Sequence, residues 1–228
     1  MCGRYVTPEV SAIEHHWRIS SRNWMPWFRV AYKPSFNVSP GQAVPVIRRV
    51  DGELQVTGMR WGLIPFYARG NPGTYSSTNA RMEVIRSSPA YRRTWEIGRR
   101  CLIPALGFYE WQETPYGKQP WFVGCADQPA FAFAGLWDES APEGGEPIVS
   151  CTIVTLPASP LMHDINNTRY REPAILLKED WGIWLSDDPD AAYSCLKQYP
   201  DDSRLVWQVS ERVNRPQNND AQLLKRLA

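Results

Sequence analysis

A cysteine stands at the second position of the chain, in the opening Met1-Cys2-Gly3-Arg4-Tyr5. A small second residue permits an aminopeptidase to remove Met1, and Cys2 would then carry a free α-amine beside its thiol. Such an aminothiol condenses with an aldehyde: the amine forms an imine, and the thiolate closes a stable five-membered thiazolidine. The unperturbed pKa values are about 7.7–8.0 for an α-amine and about 8.5 for a thiol, so both groups are partly deprotonated near neutrality. Removal of Met1 is a hypothesis, and chance placement of a cysteine is the alternative.

A second polar group follows a segment rich in glycine, proline and serine, at Asn79-Ala80-Arg81. Asn79 can donate and accept hydrogen bonds at a carbonyl or hydroxyl group, and Arg81 can hold a phosphate. The alternative is structural, because an asparagine at this point can also cap the start of a helix.

A third polar group is Glu110, which lies among aromatic residues in the stretch 107–111. If its side chain points inward, burial raises its pKa and allows it to act as a proton shuttle. If its side chain points outward, it is a solvated strand residue. Strand alternation does not fix which face Glu110 occupies.

The fourth group is His163, within a polar stretch at 161–173. It is one of three histidines, and the other two lie on the predicted N-terminal helix. A histidine in a loop between two strands can serve as acid or base near pH 7. A loop histidine with no chemical task is the alternative.

Aromatic residues and arginines recur around these groups. Trp61, Phe66 and Tyr67 flank the segment before Asn79. Aromatic rings beside arginines suit an unstacked nucleobase, although they suit a hydrophobic core equally well. The net charge is only +1, which gives no global field for nucleic acid, but the arginines are clustered. The clusters are compatible with a local basic groove, and scattered solvated arginines are the alternative.

Length and composition are those of one medium globular domain. The chain has 228 residues, 43% hydrophobic, and its 20 prolines favour short strands and loops over long helices. Five widely spaced cysteines without a CxxC pair predict neither a disulfide framework nor a zinc site, and Cys101, Cys125 and Cys151 lie in apolar stretches typical of buried residues. No signal peptide or membrane-spanning run is evident, so we expect a cytoplasmic protein without membrane contact.

The elements that must position these groups are mostly strands. Thr7 and Pro8 predict the capped start of a short helix. An Asp51-Gly52 turn between apolar runs predicts a hairpin, and 66–78 are predicted to form a mobile loop. Further strands are predicted at 100–104, 107–112, 120–124, 130–136, 148–156, 173–177 and 204–209, and helices at 89–96, 179–185, 189–198 and, weakly, 219–227. Because strands come in runs, we expect a single α+β domain with a mainly antiparallel sheet.

A series of short motifs in fixed order spans most of the chain. They are Met1–Tyr5, Phe36–Pro40, Arg60–Pro65, Asn79–Arg81, Cys101–Pro104, Gly107–Trp111, Phe133–Trp137 and Val213–Asn214. Each is weak alone, but together they resemble the SOS-response-associated peptidase (SRAP) family. Bacterial and vertebrate members of that family shield abasic sites in single-stranded DNA.

The resemblance implies one SRAP domain over 1–228, with a barrel-like β-sheet core and short flanking helices. It implies that the α-amine and thiol of Cys2 capture the aldehyde of an abasic deoxyribose as a thiazolidine. Asn79 would position the sugar or the amine, Glu110 would move protons, and a histidine would assist ring opening or crosslink reversal. The residues expected to contact DNA are Arg4, Pro40, Trp61, Tyr67, Arg81 and Arg171. No metal or other cofactor is implied, and we expect a monomer that joins the nucleoid during damage.

The sequence departs from the family pattern at two places. The family histidine, in a motif Ile-His-Asp-Arg-Met-Pro, aligns with Asn166, and about three extra residues precede Pro173. We favour His163 for the role because the chemistry requires a titrating group, with Asn166 as the alternative. The same insertion leaves open whether Arg169 or Arg171 binds phosphate. Where relatives often carry tryptophan, this chain has Phe66 and Tyr67, so base stacking should be weaker.

Three functions are compatible with these residues. The first is covalent attachment to abasic sites, with possible lyase activity. The second is a thiol peptidase with Cys2 as nucleophile, which could remove its own Met1. The third is a single-strand-binding module with an inert Cys2. The α-amine separates the first two, because a peptidase needs only the thiolate.

Overall fold

Twelve strands and six α-helices make up residues 2–73 and 77–227, the part of the chain that this computed structural model describes. The strands are β1 (Arg4–Val6), β2 (Ala43–Val50), β3 (Glu53–Trp61), β4 (Asn79–Arg81), β5 (Arg100–Ala105), β6 (Gly107–Thr114), β7 (Gly117–Cys125), β8 (Phe131–Ser140), β9 (Ile148–Pro157), β10 (Arg171–Pro173), β11 (Ile175–Leu176) and β12 (Arg204–Gln208). The α-helices are α1 (Val10–Trp17), α2 (Pro26–Ala31), α3 (Arg92–Glu96), α4 (Pro160–Ile165), α5 (Trp181–Trp184) and α6 (Pro189–Ser194). Short 3₁₀ helices cover Ser21–Asn23, Phe66–Ala68, Met82–Val84, Lys178–Asp180, Asp201–Ser203, Glu211–Asn214 and Ala221–Leu224.

Five strands close into a barrel-like sheet in the order β9, β3, β2, β5, β8 and back to β9. Most neighbours are antiparallel, whereas β3 and β4 each run parallel to β9. The short strands β10 and β11 extend the sheet beside β9 and β8. The prediction of an α+β fold with a mainly antiparallel, barrel-like core is therefore confirmed.

A second, four-stranded antiparallel sheet has the order β1, β6, β7, β12. In it, Arg4 pairs with Tyr109 and Val6 pairs with Gly107. The N-terminal strand thus lies directly against β6, the strand that carries Glu110.

Alternating side chains of the closed sheet contribute to two separate cores. Val46 and Ile103 belong to a core shared with Tyr5 and Phe108 of the second sheet. Their neighbours Ile47 and Leu102 pack instead with the helices. This division follows from the period of two in a strand, which sends successive side chains to opposite faces.

The predicted hairpin is confirmed. β2 and β3 pair along their whole length from Ala43↔Arg60 to Val50↔Glu53. Asp51 and Gly52 join them with φ values of 50° and 82°. A two-residue hairpin turn of type I′ requires a positive φ at both of its residues. Aspartate and glycine tolerate this conformation, which explains the Asp-Gly pair.

One local prediction is wrong. Thr7 does not cap α1, which begins at Val10; its hydroxyl accepts a hydrogen bond from the Ser35 amide at 2.8 Å instead. The predicted loop at 66–78 begins with a 3₁₀ turn, whose Phe66 amide donates to Asp138 Oδ2 at 2.8 Å, and residues 69–73 and 77–78 form neither helix nor strand. Residues 74–76 of that loop lie outside the described residues.

Candidate active site

The pairing of β1 with β6 brings Cys2 towards Glu110. Arg4 lies opposite Tyr109 in an antiparallel register, so the residues before Arg4 run alongside the continuation of β6. Cys2 is completely buried, and its Sγ lies 3.7 Å from the Arg4 carbonyl oxygen. Burial raises the pKa of the Cys2 thiol far above its usual range, and the negative charge of Glu110 adds to the effect. The thiol is therefore protonated at neutral pH until a proton acceptor or ligand arrives.

Asn79 is hydrogen-bonded to Cys2. Its Nδ2 donates to the Cys2 carbonyl oxygen at 2.9 Å and to Thr78 Oγ1 at 3.2 Å. β4 holds Asn79 in place because it pairs with β9, where Asn79 lies opposite Ile153. Asn79 Oδ1 is buried and accepts no hydrogen bond from the described residues, so one acceptor remains beside Cys2. The alternative of a helix-capping Asn79 is wrong, because the residue begins a strand.

Glu110 points inward and is 3% exposed. Burial raises the pKa of its carboxyl group to about 7, although the positive charge of Arg169 opposes this shift. A carboxyl group with a pKa near the working pH can both accept and donate a proton. The inward orientation that the sequence left open is thus the one present.

A cleft of about 400 Å³ opens beside Glu110. Its lining consists of Gly3, Arg4, Glu110, Trp111, Glu113, Lys118, Asn166, Thr168, Arg169 and Asn214. Its charged side chains are three cations, Arg4, Lys118 and Arg169, and two carboxylates, and Lys118 is paired with Glu113 at 3.0 Å. Arg4 and Arg169 are the cations of the lining that no carboxylate of the described residues pairs with. The volume lies within the range of about 300–1,000 Å³ that is typical of ligand sites.

Arg4 connects three segments of the chain at the wall of this cleft. Its guanidinium donates to Asn37 Oδ1 at 3.0 Å and to the Val213 carbonyl oxygen at 2.9 Å. Asn37 in turn donates to the Asn218 carbonyl oxygen at 2.9 Å. Trp111 Nε1 donates to Asn214 Oδ1 at 2.7 Å. The motifs at 36–40 and 213–214 therefore meet the N-terminal segment in space.

His163 lies away from this arrangement. It is an exposed residue of α4 rather than of a loop, and its ring stacks on Tyr170 with centroids 4.2 Å apart. Asn166 is instead buried, lines the cleft with Glu110, and donates from Nδ2 to the Arg171 carbonyl oxygen at 2.8 Å. Of the two alternatives, Asn166 is the residue that the fold brings to the cleft, because α4 ends before it.

The arginines of the insertion have different surroundings. Arg171 makes two hydrogen bonds to Glu83, at 2.6 and 3.0 Å, and another to the Thr155 carbonyl oxygen at 2.7 Å. This ion pair lowers the pKa of Glu83. Arg169 is exposed and lines the cleft. Arg81, the last residue of β4, is exposed as well.

The predicted aromatic contacts separate into buried and exposed residues. Trp61 is completely buried, and its Nε1 donates to the Thr78 carbonyl oxygen at 3.0 Å. The prediction that Trp61 contacts DNA is therefore wrong for this conformation, because no face of the ring is open. Tyr67 is 45% exposed, and Pro40 lies exposed in the segment before β2.

Sequence reasoning passed over several residues of the cleft. Lys118, Thr168 and Asn214 line it, and Asn37 supports it from behind. Asn37 and Asn214 lie inside motifs that the sequence singled out, which is the signal that could have identified them. Lys118 lies just after the β6–β7 turn, so the hairpin pairing of Lys118 with Glu113 was the available indication.

No metal site accompanies this cleft within the described part of the chain, where no group of three His, Cys, Asp or Glu side chains could hold an ion. Among the same residues, no helix has the length and apolar character needed to cross a membrane.

Comparisons of the sequence and of the structure with known proteins agree with each other. The family model described as SOS response associated peptidase (SRAP) matches residues 1–216. The abasic site processing protein YoqW of Bacillus subtilis is 37% identical over 198 residues, covering 85% of this chain and 87% of its own. The abasic site processing protein HMCES of Gallus gallus is 32% identical, covering 66% of this chain and 53% of its own.

A crystal structure of a protein from Bacteroides thetaiotaomicron superimposes with a TM-score of 0.87 at 25% identity, covering the whole of both chains. A protein from Bordetella bronchiseptica, at 24% identity and a TM-score of 0.79, shares the fold over 92% of this chain. The family match extends over nearly the whole sequence and includes each residue that meets at Cys2. This chain belongs to the SOS response associated peptidase (SRAP) family.

Proposed function

We propose that the protein captures abasic sites in single-stranded DNA by forming a thiazolidine at Cys2 after Met1 has been removed. It would act as a cytoplasmic monomer and protect the damaged strand. The observation that carries the proposal is the grouping of Cys2 with the Asn79 amide and the Glu110 carboxyl beside a cleft that Arg4 and Arg169 line. The printed names of YoqW and HMCES, which are abasic site processing proteins, support the substrate.

The chemistry requires no external reagent. The abasic deoxyribose opens to an aldehyde, and the α-amine of Cys2 adds to C1′ to give a carbinolamine. Loss of one water gives a protonated Schiff base. The Cys2 sulfur then bonds to C1′ while its proton leaves, and the electron pair of the C=N bond returns to nitrogen. One water is released overall, and no oxidant or reductant is consumed.

Glu110 is suited to the proton transfers in this sequence. With a pKa of about 7, its carboxyl group can donate a proton to the departing water and then accept the thiol proton. Asn79 would orient the Cys2 backbone and could accept a hydrogen bond at Oδ1 from the amine or a sugar hydroxyl. Arg4, Arg81 and Arg169 would hold flanking phosphates.

A thiol peptidase is the second candidate, since it would use the same sulfur. Its first step is attack by a thiolate, and burial raises the pKa of the Cys2 thiol strongly. In thiazolidine formation the amine attacks first, and the thiol adds to an electrophile already bound beside it. The environment of Cys2 therefore favours the crosslinker over the peptidase. Strand cleavage at the Schiff base, a lyase step, would be a side activity of the same intermediate.

Intact mass spectrometry tests the proposal directly. We expect the purified protein to lack Met1 and, with an abasic-site oligonucleotide, to gain the oligonucleotide mass minus one water. Cys2→Ala keeps the amine but lacks the sulfur, so its adduct should form only when borohydride reduces the Schiff base. A borohydride-independent adduct in Cys2→Ala, or a wild-type protein that retains Met1 and forms no adduct, would overturn the proposal.

A further inference from the structure

A second pocket, of about 360 Å³, lies among α1, the β2–β3 hairpin, β5 and α5. Within the described part of the chain, it shares no lining residue with the cleft beside Glu110. Trp17, Leu102 and Leu185 form its buried apolar wall. Trp181 stacks on Trp17 with centroids 5.2 Å apart and an interplanar angle of 27°. The pocket is large enough to enclose an apolar side chain.

The rim of this pocket is cationic. Arg18, Arg49 and Lys178 are exposed there, and no carboxylate is found among the described lining residues. None of the three forms an ion pair with any residue of 2–73 or 77–227. Three uncompensated charges around one pocket contrast with a net charge of +1 for the whole chain. This distribution is complementary to an anionic partner.

The pocket continues into a shallower depression of about 290 Å³. The two share Arg18 and Leu54, and the depression adds Arg22 and one carboxylate, Glu53, whose Oε2 accepts a hydrogen bond from Asn23 at 2.8 Å. Together they form a groove that could hold several residues of an extended segment. Trp17 Nε1 and Trp181 Nε1 are buried in the wall and lack hydrogen-bond partners among the described residues. A buried donor normally has an acceptor, which a peptide carbonyl or carboxylate entering the groove would supply after a small shift.

We propose that this groove binds an acidic peptide segment of a partner protein, with one apolar side chain in the pocket and carboxylates at Arg18, Arg49 and Lys178. A nucleic-acid strand fits less well because Trp17 is only 4% exposed and stacks on Trp181, so these facing rings offer no platform for a base. The site would recruit the protein to a partner, and it is independent of the chemistry at Cys2.

The test uses the full chain and a fluorescent peptide of four aspartates followed by a C-terminal phenylalanine. We expect saturable binding by fluorescence anisotropy. The double variant Arg49→Glu with Lys178→Glu should raise Kd about tenfold or more, because two attractions become repulsions. Lys197→Glu, an exposed charge reversal outside the groove, should bind as wild type does. A peptide with serine in place of phenylalanine should also bind about tenfold more weakly, since the pocket is then unfilled.

A steric variant provides a second, independent measurement. Gly182 lines the pocket, and a Cβ at this position would meet no atom within 4 Å. Both Gly182→Phe and Gly182→Ala should therefore fold. Only the phenylalanine is large enough to fill the pocket, so only Gly182→Phe should weaken peptide binding. Cys2→Ala should bind the peptide normally, which separates this site from the proposed function. Equal binding by wild type and the double variant would overturn the proposal, as would displacement of the peptide by an undamaged single-stranded oligonucleotide in a manner that depends on Arg49 and Lys178.

Discussion

At the scale of single residues, burial is what distinguishes Glu110 from Glu113, the other carboxylate of its strand. Glu113 lies three positions further along β6, lines the same cleft, and is exposed. Burial raises the pKa of Glu110 to about 7. The position of a side chain relative to solvent, and not its chemical type, therefore decides which carboxyl group can transfer protons near neutral pH.

Glu110→Gln should slow crosslinking by about 100-fold, because general acid–base catalysis typically contributes at least that factor. Affinity for an undamaged single strand should stay near that of wild type, since the amide preserves the shape of the carboxyl group. Single-turnover crosslinking followed on denaturing gels gives the rate, and fluorescence anisotropy gives the affinity. Glu113→Gln is the matched control and should react at the wild-type rate. A wild-type crosslinking rate in Glu110→Gln would show that Glu110 has only a structural role.

The raised pKa of Glu110 also predicts a pH dependence of stability. Between the ordinary value of 4.5 and about 7, the folded carboxyl holds a proton that the unfolded chain releases. The stabilising effect of this proton is fully present below pH 4.5 and is lost as pH rises through about 7. Over that range the free energy of unfolding falls by at most about 1.4 kcal/mol per pH unit. Urea denaturation of wild type and Glu110→Gln from pH 5 to 8 should show the variant gaining relative stability as pH rises. A pH-independent difference would contradict the assignment.

Mutation of Arg169 and mutation of Arg171, which lie only two positions apart, should affect different properties: DNA binding for Arg169 and stability for Arg171. Arg171 bonds Glu83 and the Thr155 carbonyl oxygen, so Arg171→Ala should lower the free energy of unfolding by about 1 kcal/mol. Arg169 is exposed in the cleft, so Arg169→Ala should leave stability unchanged and weaken single-strand binding a few-fold. Chemical denaturation and anisotropy distinguish the two. The reverse pattern would assign the phosphate contact to Arg171.

At the scale of elements, the contact of β1 with β6 depends on a glycine. Gly107 pairs with Val6, and a Cβ at this position would lie 2.2 Å from Phe122 Cζ and 2.9 Å from the Val123 carbonyl oxygen. Gly107→Ala should therefore destabilise the fold by about 1–3 kcal/mol through overpacking and slow crosslinking by displacing β1. Thermal unfolding measures the first effect. Gly182→Ala, in α5 with open space around it, should be neutral or slightly stabilising. An unchanged melting temperature in Gly107→Ala would show that β6 adjusts without cost.

Local elements of this fold were predictable where apolar alternation and turn chemistry agreed. The hairpin around Asp51-Gly52 and the strands from β5 to β9 have such signals. The closure of β9 on β3 was not predictable, because Trp61 and Cys151 are far apart in sequence and no local signal encodes their pairing. The helix that carries His163 had a signal that was overlooked: Ser159 accepts a hydrogen bond from the Met162 amide, and Pro160 begins α4.

The candidate site was predictable as a set of residues but not as a geometry. Cys2, Asn79 and Glu110 were named from residue type and resemblance, and the fold brings all three together. The inward face of Glu110 depends on how two sheets pack, which strand alternation alone cannot fix. The buried position of Trp61 likewise depends on its contact with Tyr5, at 5.1 Å between centroids.

At the scale of the whole molecule, the site forms where the closed sheet meets the four-stranded sheet. Asn79 lies on β4, which pairs with β9 of the closed sheet, and Glu110 lies on β6 of the four-stranded sheet. Arg4 then links the N-terminal segment to a segment near the end of the chain through hydrogen bonds to the carbonyl oxygens of Val213, at 2.9 Å, and Asn214, at 3.4 Å. The site therefore depends on the packing of the two sheets and on the contact between the N-terminal strand and the segment at 213–214.

The number of phosphates that the protein neutralises, and not its net charge of +1, sets the salt dependence of DNA binding. If Arg4, Arg81 and Arg169 each neutralise one phosphate, the logarithm of affinity for an undamaged single strand should fall with a slope of about −2 against the logarithm of salt concentration. Affinity would then drop about 20-fold between about 50 and 200 mM salt. Arg81→Glu should weaken binding and reduce the slope by about 0.7, whereas Lys197→Glu should change neither. Anisotropy titrations measure both quantities. A slope several times steeper would mean that DNA contacts many more cations than these three, and an unchanged slope in Arg81→Glu would remove that residue from the DNA path.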